Sequence, residues 1–191
     1  MHQTILRKKG TKMEVKLTRE QMLRDALVGL IMEDLGKKED NGPNRSPLID
    51  AINTRLGVDL GSPYCIGGLL VRGVERLCTI YKLVNPVVMT AGTQNFWWKA
   101  PDKYRKLKGN KAKKSDIGIL VNKDDPSHGH AFMFTEDESN VQRTIEYNTN
   151  IAGSRNGDGV YRLERSATGT ITKNYRGSID VVAWILAANP V

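Results

Sequence analysis

The chain has few of the residues on which several kinds of protein depend. It holds two cysteines and three histidines among 191 residues. Two thiols make no disulfide framework of the kind that staples small secreted domains, and a chain of this length buries a core without one. If Cys65 and Cys78 share a helix, a rise of about 1.5 Å per residue puts them roughly 19 Å apart, beyond the reach of about 7 Å for a bridge. The histidines and cysteines show no ligand spacing of the finger or HExxH kind, so no metal and no cofactor is expected. There is no GxSxG elbow for a serine hydrolase. No window approaches the roughly 18 consecutive apolar residues of a membrane span. The segment from Met1 to Gly10 has no apolar run of signal-peptide length, and the expectation is synthesis in the cytoplasm.

Positive charge is what the chain has in excess. A formal net charge of +8 gives the surface a potential that attracts polyanions. Lysine and arginine cluster at Arg7 to Lys16 and at Lys99 to Lys114, without the interleaved stacking aromatics of a single-strand groove. Anionic polymers of a cell envelope are therefore expected partners ahead of nucleic acid, and a monomer is expected.

Residues 1–17 are polar and basic and read as an arm or an edge element. From Thr18 the apolar residues Met22, Leu23, Ala26, Leu27, Leu30, Ile31 and Leu35 recur at helical spacing, with Thr18 and Gln21 as a capping box and Gly36 as the stop. Lys37 to Arg45 is a charged loop. Ser46-Pro47 then opens a short helix to Gly57, and Ser62-Pro63 opens another through Cys65 to Ile80. Thr93 to Ala100 is a short aromatic helix, followed by a basic linker over Pro101 to Lys114. Beyond Asp116, runs of Ile, Val, Phe, Tyr and Thr between turn residues predict strands near Ile117–Val121, His130–Thr135, Arg143–Asn148, Gly159–Arg165 and Ile179–Ile185. Helices followed by strands mean α+β, with N-terminal helices packed on a C-terminal antiparallel sheet and a single domain over 18–191.

Cys65 lands in the first turn of its helix, where unpaired N–H groups lower a thiol pKa and offer donors to an oxyanion. An ordinary packed cysteine is the plain alternative. Gly61 and the pair Gly67-Gly68 strip side chains from around the thiol, although a glycine inside a helix costs about 1 kcal/mol, so a close approach is expected there. Cys78 lies toward the far end of the helix and is taken as packing. A thiol nucleophile needs a base. His2 falls in the basic arm and His128 in a turn, whereas His130 opens an apolar strand that would hold it rigidly. The base needs an acceptor for its second ring nitrogen, and period-two alternation puts Glu146 and Asn148 together on one face of the next strand.

The order of these segments resembles the CHAP family, the cysteine, histidine-dependent amidohydrolases and peptidases. The residues that carry the resemblance are KEDNGPNRSPLIDAI, then GSPYC, then Ser115-Asp116-Ile117, then GHAFMF and IEYNTN, over about Glu33 to Arg165. Here Pro63-Tyr64 precedes Cys65 as a Pro-aromatic pair precedes the family's cysteine, His130 begins a strand, and Glu146 and Asn148 form the Glu-x-Asn pair. The chain departs from the family's usual pattern with Tyr64 for tryptophan, Ile66 for a small residue and Ser115 for glycine. The resemblance implies a papain-like cell-wall peptidase fold and hydrolysis of a peptidoglycan amide. Cys65 would attack, His130 would carry the proton, and Glu146 or Asn148 would orient the imidazole. Backbone N–H groups near Cys65, with Tyr64 or Asn44, would meet the oxyanion. Some members bind calcium through alternating acidic residues ahead of the cysteine; with one carboxylate, Asp59, in that stretch, no such site is expected.

A small basic enzyme of this kind suits phage lysis (an endolysin released through a pore) or an antibacterial amidase injected into a rival's periplasm, acting on the wall in either case. Two other readings compete. One keeps the thiol chemistry but applies it to a non-wall amide, and fold-level likeness does not separate the two. The other is a non-enzymatic envelope- or nucleic-acid-binding protein in which Cys65 is merely packed, and the reactivity of the thiol discriminates it.

Overall fold

The computed structural model describes residues 2–6, 12–122, 124–126, 128–137, 141–152, 157–166 and 174–190. Of the expected basic arm, His2–Leu6 (β1) and Lys12–Lys16 (β2) pair as a two-stranded antiparallel sheet, and Met1 and residues 7–11 lie outside the described residues.

The helices begin where the backbone finds a cap. In α1 (Arg19–Met32) the Thr18 hydroxyl accepts from the Gln21 N–H at 3.2 Å while the Gln21 side chain accepts from the Thr18 N–H at 2.8 Å. This is the expected box. The helix stops four residues short of Gly36, which is in the left-handed region a turn later (φ 76°). In α2 (Pro47–Leu56) Ser46 caps the Ile49 N–H and Gly57 closes the helix at φ 68°, a left-handed position that suits glycine. The next helix, α3, runs over 65–80. It is α-helical at Cys65–Gly68 and Arg76–Ile80 and π-wound over Leu69–Glu75. It starts two residues later than Ser62-Pro63 suggests, because the Ser62 side chain caps nothing there. The Ser62 N–H closes a turn onto the Asp59 carbonyl, and the Ser62 carbonyl accepts from Asn53. Cys65 is thereby the first helical residue. A short helix, α4 (Thr93–Lys99), follows as expected.

Six antiparallel strands form the main sheet, in the order β3-β8-β4-β5-β6-β7. They are β3 (Arg105–Leu107), β4 (Ile117–Val121), β5 (Gly129–Phe134), β6 (Val141–Thr149), β7 (Gly159–Ser166) and β8 (Tyr175–Ile179). The four strands expected between Ile117 and Arg165 are present. The strand expected at Ile179–Ile185 is not. Its first residue ends β8, and the rest forms helix α5 (Val181–Ala188), capped by Asp180 accepting from the Ala183 N–H at 3.0 Å. An unbroken apolar run has no period that separates strand from buried helix, and the cap decides it. The edge strand β3 lies inside what reads in sequence as a basic linker.

Helices α1 to α5 share one apolar core with the sheet residues Ile117, Ile119, Ala131, Met133, Ile145, Tyr147 and Ile179. The chain is thus α+β with helices on a segregated antiparallel sheet. Each fully buried aliphatic or aromatic side chain in such a core contributes about 1.5–3 kcal/mol. The glycine pair is explained by contact. A Cβ on Gly68 would lie 2.4 Å from the Tyr147 ring of β6, and one on Gly67 would lie 2.8 Å from Leu56 of α2. On the other side of the fold Arg24 of α1 ties together Asp180, at 2.6 and 2.8 Å, and Asp116, at 3.1 Å, both carboxylates being buried. Lys106 of β3 joins the same cluster through Asp116 at 2.6 Å. This places the Ser115-Asp116 segment in the packing of α1 against the sheet.

Candidate active site

The site arises where two neighbouring strands part. β5 and β6 pair only through Met133↔Ile145 and Phe134↔Thr144, so toward the start of β5 the ladder is open. The N-terminus of α3 sits at this opening, with Tyr64 as N-cap residue and no side chain capping the first turn. The glycines at 67 and 68 permit that approach, since side chains there would collide with α2 and with Tyr147.

Cys65 is buried, and its sulfur lies 3.4 Å from the Thr93 hydroxyl at the start of α4. Burial pushes the thiol pKa up. The His130 imidazole, the Thr93 hydroxyl and the Ala131 N–H, all beside the sulfur, outweigh that and bring it down to about 7. This is the regime of an activated thiol. Cys78 shows the contrast: burial and the nearby Glu75 carboxylate push its thiol up to about 11, as suits a packing residue. Both thiols are free.

His130 is 1% exposed. Its Nε2 lies 2.8 Å from Glu146 Oε2, which leaves Nδ1, buried without a hydrogen-bond partner, as the nitrogen available to the thiol. Burial opposes the charged ring, but Cys65 and Glu146 on either side of it raise its pKa to about 9. Each group favours the charged form of the other, so the pair leans toward thiolate and imidazolium.

Glu146 is fully buried and fully engaged. Arg165 of β7 donates to both of its oxygens at 2.6 Å, and the Thr144 hydroxyl donates to Oε1 at 2.6 Å. Burial would raise its pKa, yet His130 and Arg165 hold it down at about 2. The carboxylate is therefore a fixed negative charge behind the ring.

The four residues expected from the sequence thus fall near one another but do different things. Cys65, His130 and Glu146 stand in a line that can serve as a relay: the thiol is beside the imidazole, and the imidazole is bonded to the carboxylate. Asn148 does not join it. A register shift between Tyr147 and Thr149 puts Asn148 in the left-handed region, φ 54°, so strict alternation along β6 ends there. Its Oδ1 is buried without a hydrogen bond. His128 is exposed, with Nδ1 against Asp125. Tyr64 is 1% exposed and directs its hydroxyl toward Glu39 at 3.4 Å. Asn44 takes a left-handed backbone, φ 52°, in the loop before α2.

Three members of the arrangement were missed in the sequence. Thr93 reads there only as a residue of an aromatic helix. Thr144 and Arg165 read only as members of predicted strands, and the cue that was available is that both share the pleat side of Glu146 on paired strands. Among the described residues no group of three or more His, Cys, Asp and Glu could hold a metal ion, and no helix is long and apolar enough to cross a membrane. Comparison with known families finds no family model that matches the chain, and no curated protein matches it.

The arrangement can support one class of chemistry. A thiol at a helix N-terminus, an imidazole held by a buried carboxylate, and first-turn N–H groups are the kinds of group that nucleophilic attack on a carbonyl uses.

Proposed function

We propose that the protein is a cysteine amide hydrolase that cuts peptidoglycan, with Cys65 as nucleophile, His130 as proton carrier and Glu146 as the orienting carboxylate. The observation that carries the reading is the Cys65–His130–Glu146 relay, in which Nε2 lies 2.8 Å from a carboxylate buried and braced by Arg165. A packed cysteine requires no such apparatus. The resemblance to CHAP enzymes and the net charge of +8 favour the anionic cell wall over other amides.

In this mechanism the Cys65 thiolate attacks the amide carbonyl, and the developing oxyanion is met by N–H groups of the first turn of α3. The His130 imidazolium gives its Nδ1 proton to the leaving amine. The C–N bond breaks and a thioester remains on Cys65. Water, deprotonated at the same nitrogen, then attacks the thioester and returns the free thiol. Glu146 stays ionised throughout and holds the ring so that Nδ1 faces the sulfur. Thr93 donates to the thiolate and steadies it before attack.

The test is turbidity of purified peptidoglycan, or of permeabilised cells, with wild type beside Cys65→Ala, and mass spectrometry of the fragments to name the bond. Clearing by wild type alone is expected. Equal clearing by Cys65→Ala refutes the mechanism. No clearing by a folded wild type refutes the wall as substrate.

A further inference from the structure

At the β3 edge of the sheet, Trp97, Trp98, Asp102, Arg105, Leu107 and Arg176 line an open cleft of about 530 Å³. The relay makes no use of it. Trp98 is 65% exposed and Leu107 63%, whereas Trp97, one residue earlier, packs into the core. A large aromatic left in water beside a cleft marks a contact surface.

Two guanidiniums converge on the indoles. Arg176 of β8 lies 4.8 Å from the Trp98 ring centre and 5.8 Å from that of Trp97, and Arg105 of β3 lies 5.6 and 5.9 Å from Trp97 and Trp98. Arg105 is paired with Asp102. Arg176 makes no ion pair among the described residues, and burial alone lowers its pKa. A half-buried guanidinium with no anion opposite it gains from one that arrives. The surrounding segment is strongly basic: residues 99–114 hold eight lysines and arginines and a single carboxylate, Asp102.

We propose that this cleft binds a carboxylate-bearing polysaccharide, with a sugar ring stacked on Trp98 and its carboxylate on Arg176. The C–H face of a pyranose is apolar and suits the indole face. The planar fork of arginine matches a carboxylate with two parallel bonds. Asp102 accepts sugar hydroxyls. A single exposed indole also fits one or two sugar units, where single-stranded nucleic acid asks for a track of aromatics and cations. Placing the polymer in the cell envelope rests on the hydrolase reading; the binding itself does not.

The test uses the full chain and an oligogalacturonate as the uronic-acid probe, read by tryptophan fluorescence and calorimetry. Chitotetraose serves as neutral sugar, teichoic acid as phosphate polymer and oligo-dT as nucleic acid. Saturable binding of the uronate is expected, weaker binding of the other three, and a loss of at least about tenfold for the uronate in Trp98→Ala and in Arg176→Gln. Both variants should melt like wild type and cleave a small soluble amide at its rate. Uronate binding unchanged in Trp98→Ala overturns the site. So does tighter or equal binding of chitotetraose, teichoic acid or oligo-dT, or no saturable uronate binding by the folded protein. Cys65→Ala should still bind the uronate, so failure of wall clearing and failure of this site are separately visible.

Discussion

Replacing Glu146 by glutamine keeps the shape of the side chain and removes its charge. The carboxylate accepts from Arg165 twice and from Thr144, and faces His130 Nε2. The amide NH₂ must then confront one of those donors. Loss of one charge-assisted hydrogen bond to the imidazolium costs about 1.5–3 kcal/mol, or roughly 10- to 150-fold in rate. Leaving the part-buried Arg165 without its anion costs up to about 3–5 kcal/mol of stability. Asn148 gives the contrast. Its side-chain oxygen makes no hydrogen bond and its φ is 54°, so Asn148→Gly keeps the backbone and should change reactivity by no more than about twofold. The assays are the rate of Cys65 alkylation by iodoacetamide against pH, wall clearing, and urea unfolding of each variant. Glu146→Gln should also flatten the acid limb of stability. Its folded pKa, about 2 against an ordinary 4.5, supplies stabilisation that is present above 4.5 and lost as pH falls toward 2. If Asn148→Gly slows alkylation as much as Glu146→Gln while both remain folded, the assignment of the orienting group is wrong.

Wall clearing should follow a bell in pH, rising through about 7 as Cys65 loses its proton and falling through about 9 as His130 loses its own; a flat profile over that window would exclude the ion pair. Thr93→Val removes a donor to the sulfur, so the acid limb should move to higher pH, and an unmoved limb would leave Thr93 with packing alone. Gly68→Ala drives a methyl into the Tyr147 ring and should cost about 1–3 kcal/mol, read as a drop in Tm. Arg24→Met leaves Asp116 and Asp180 buried without their shared cation, and a fall of about 3–5 kcal/mol in urea unfolding is expected; an unchanged midpoint would show that Lys106 suffices.

Legibility in the sequence followed the reach of each signal. Caps and periods act within a few residues, and so α1, α2, α4 and four of the strands could be read directly. The run Ile179 to Ile185 could not, because it is apolar on every side and only the Asp180 cap separates helix from strand. Cys65 and His130 were legible because a helix start and a strand start announce them. The choice of Glu146 over Asn148 was not, since it turns on a bulge in β6 that no local pattern encodes. Thr93, Thr144 and Arg165 come to the site from separate elements, and contacts made across that much chain leave no period to count. The Trp98 cleft was hidden for the same reason: Arg176 is far in sequence from the aromatic helix it covers.

The gap between β5 and β6 sets a limit on how far the molecule can be hardened. Substitutions that extend the ladder toward the start of β5 would add cross-strand bonds and raise thermal resistance. They would also recruit the Ala131 amide away from the sulfur and close the wedge that admits α3. Thermostabilising selection and catalytic selection should therefore pull this seam in opposite directions, and hardened variants that keep their activity should carry their changes elsewhere in the sheet.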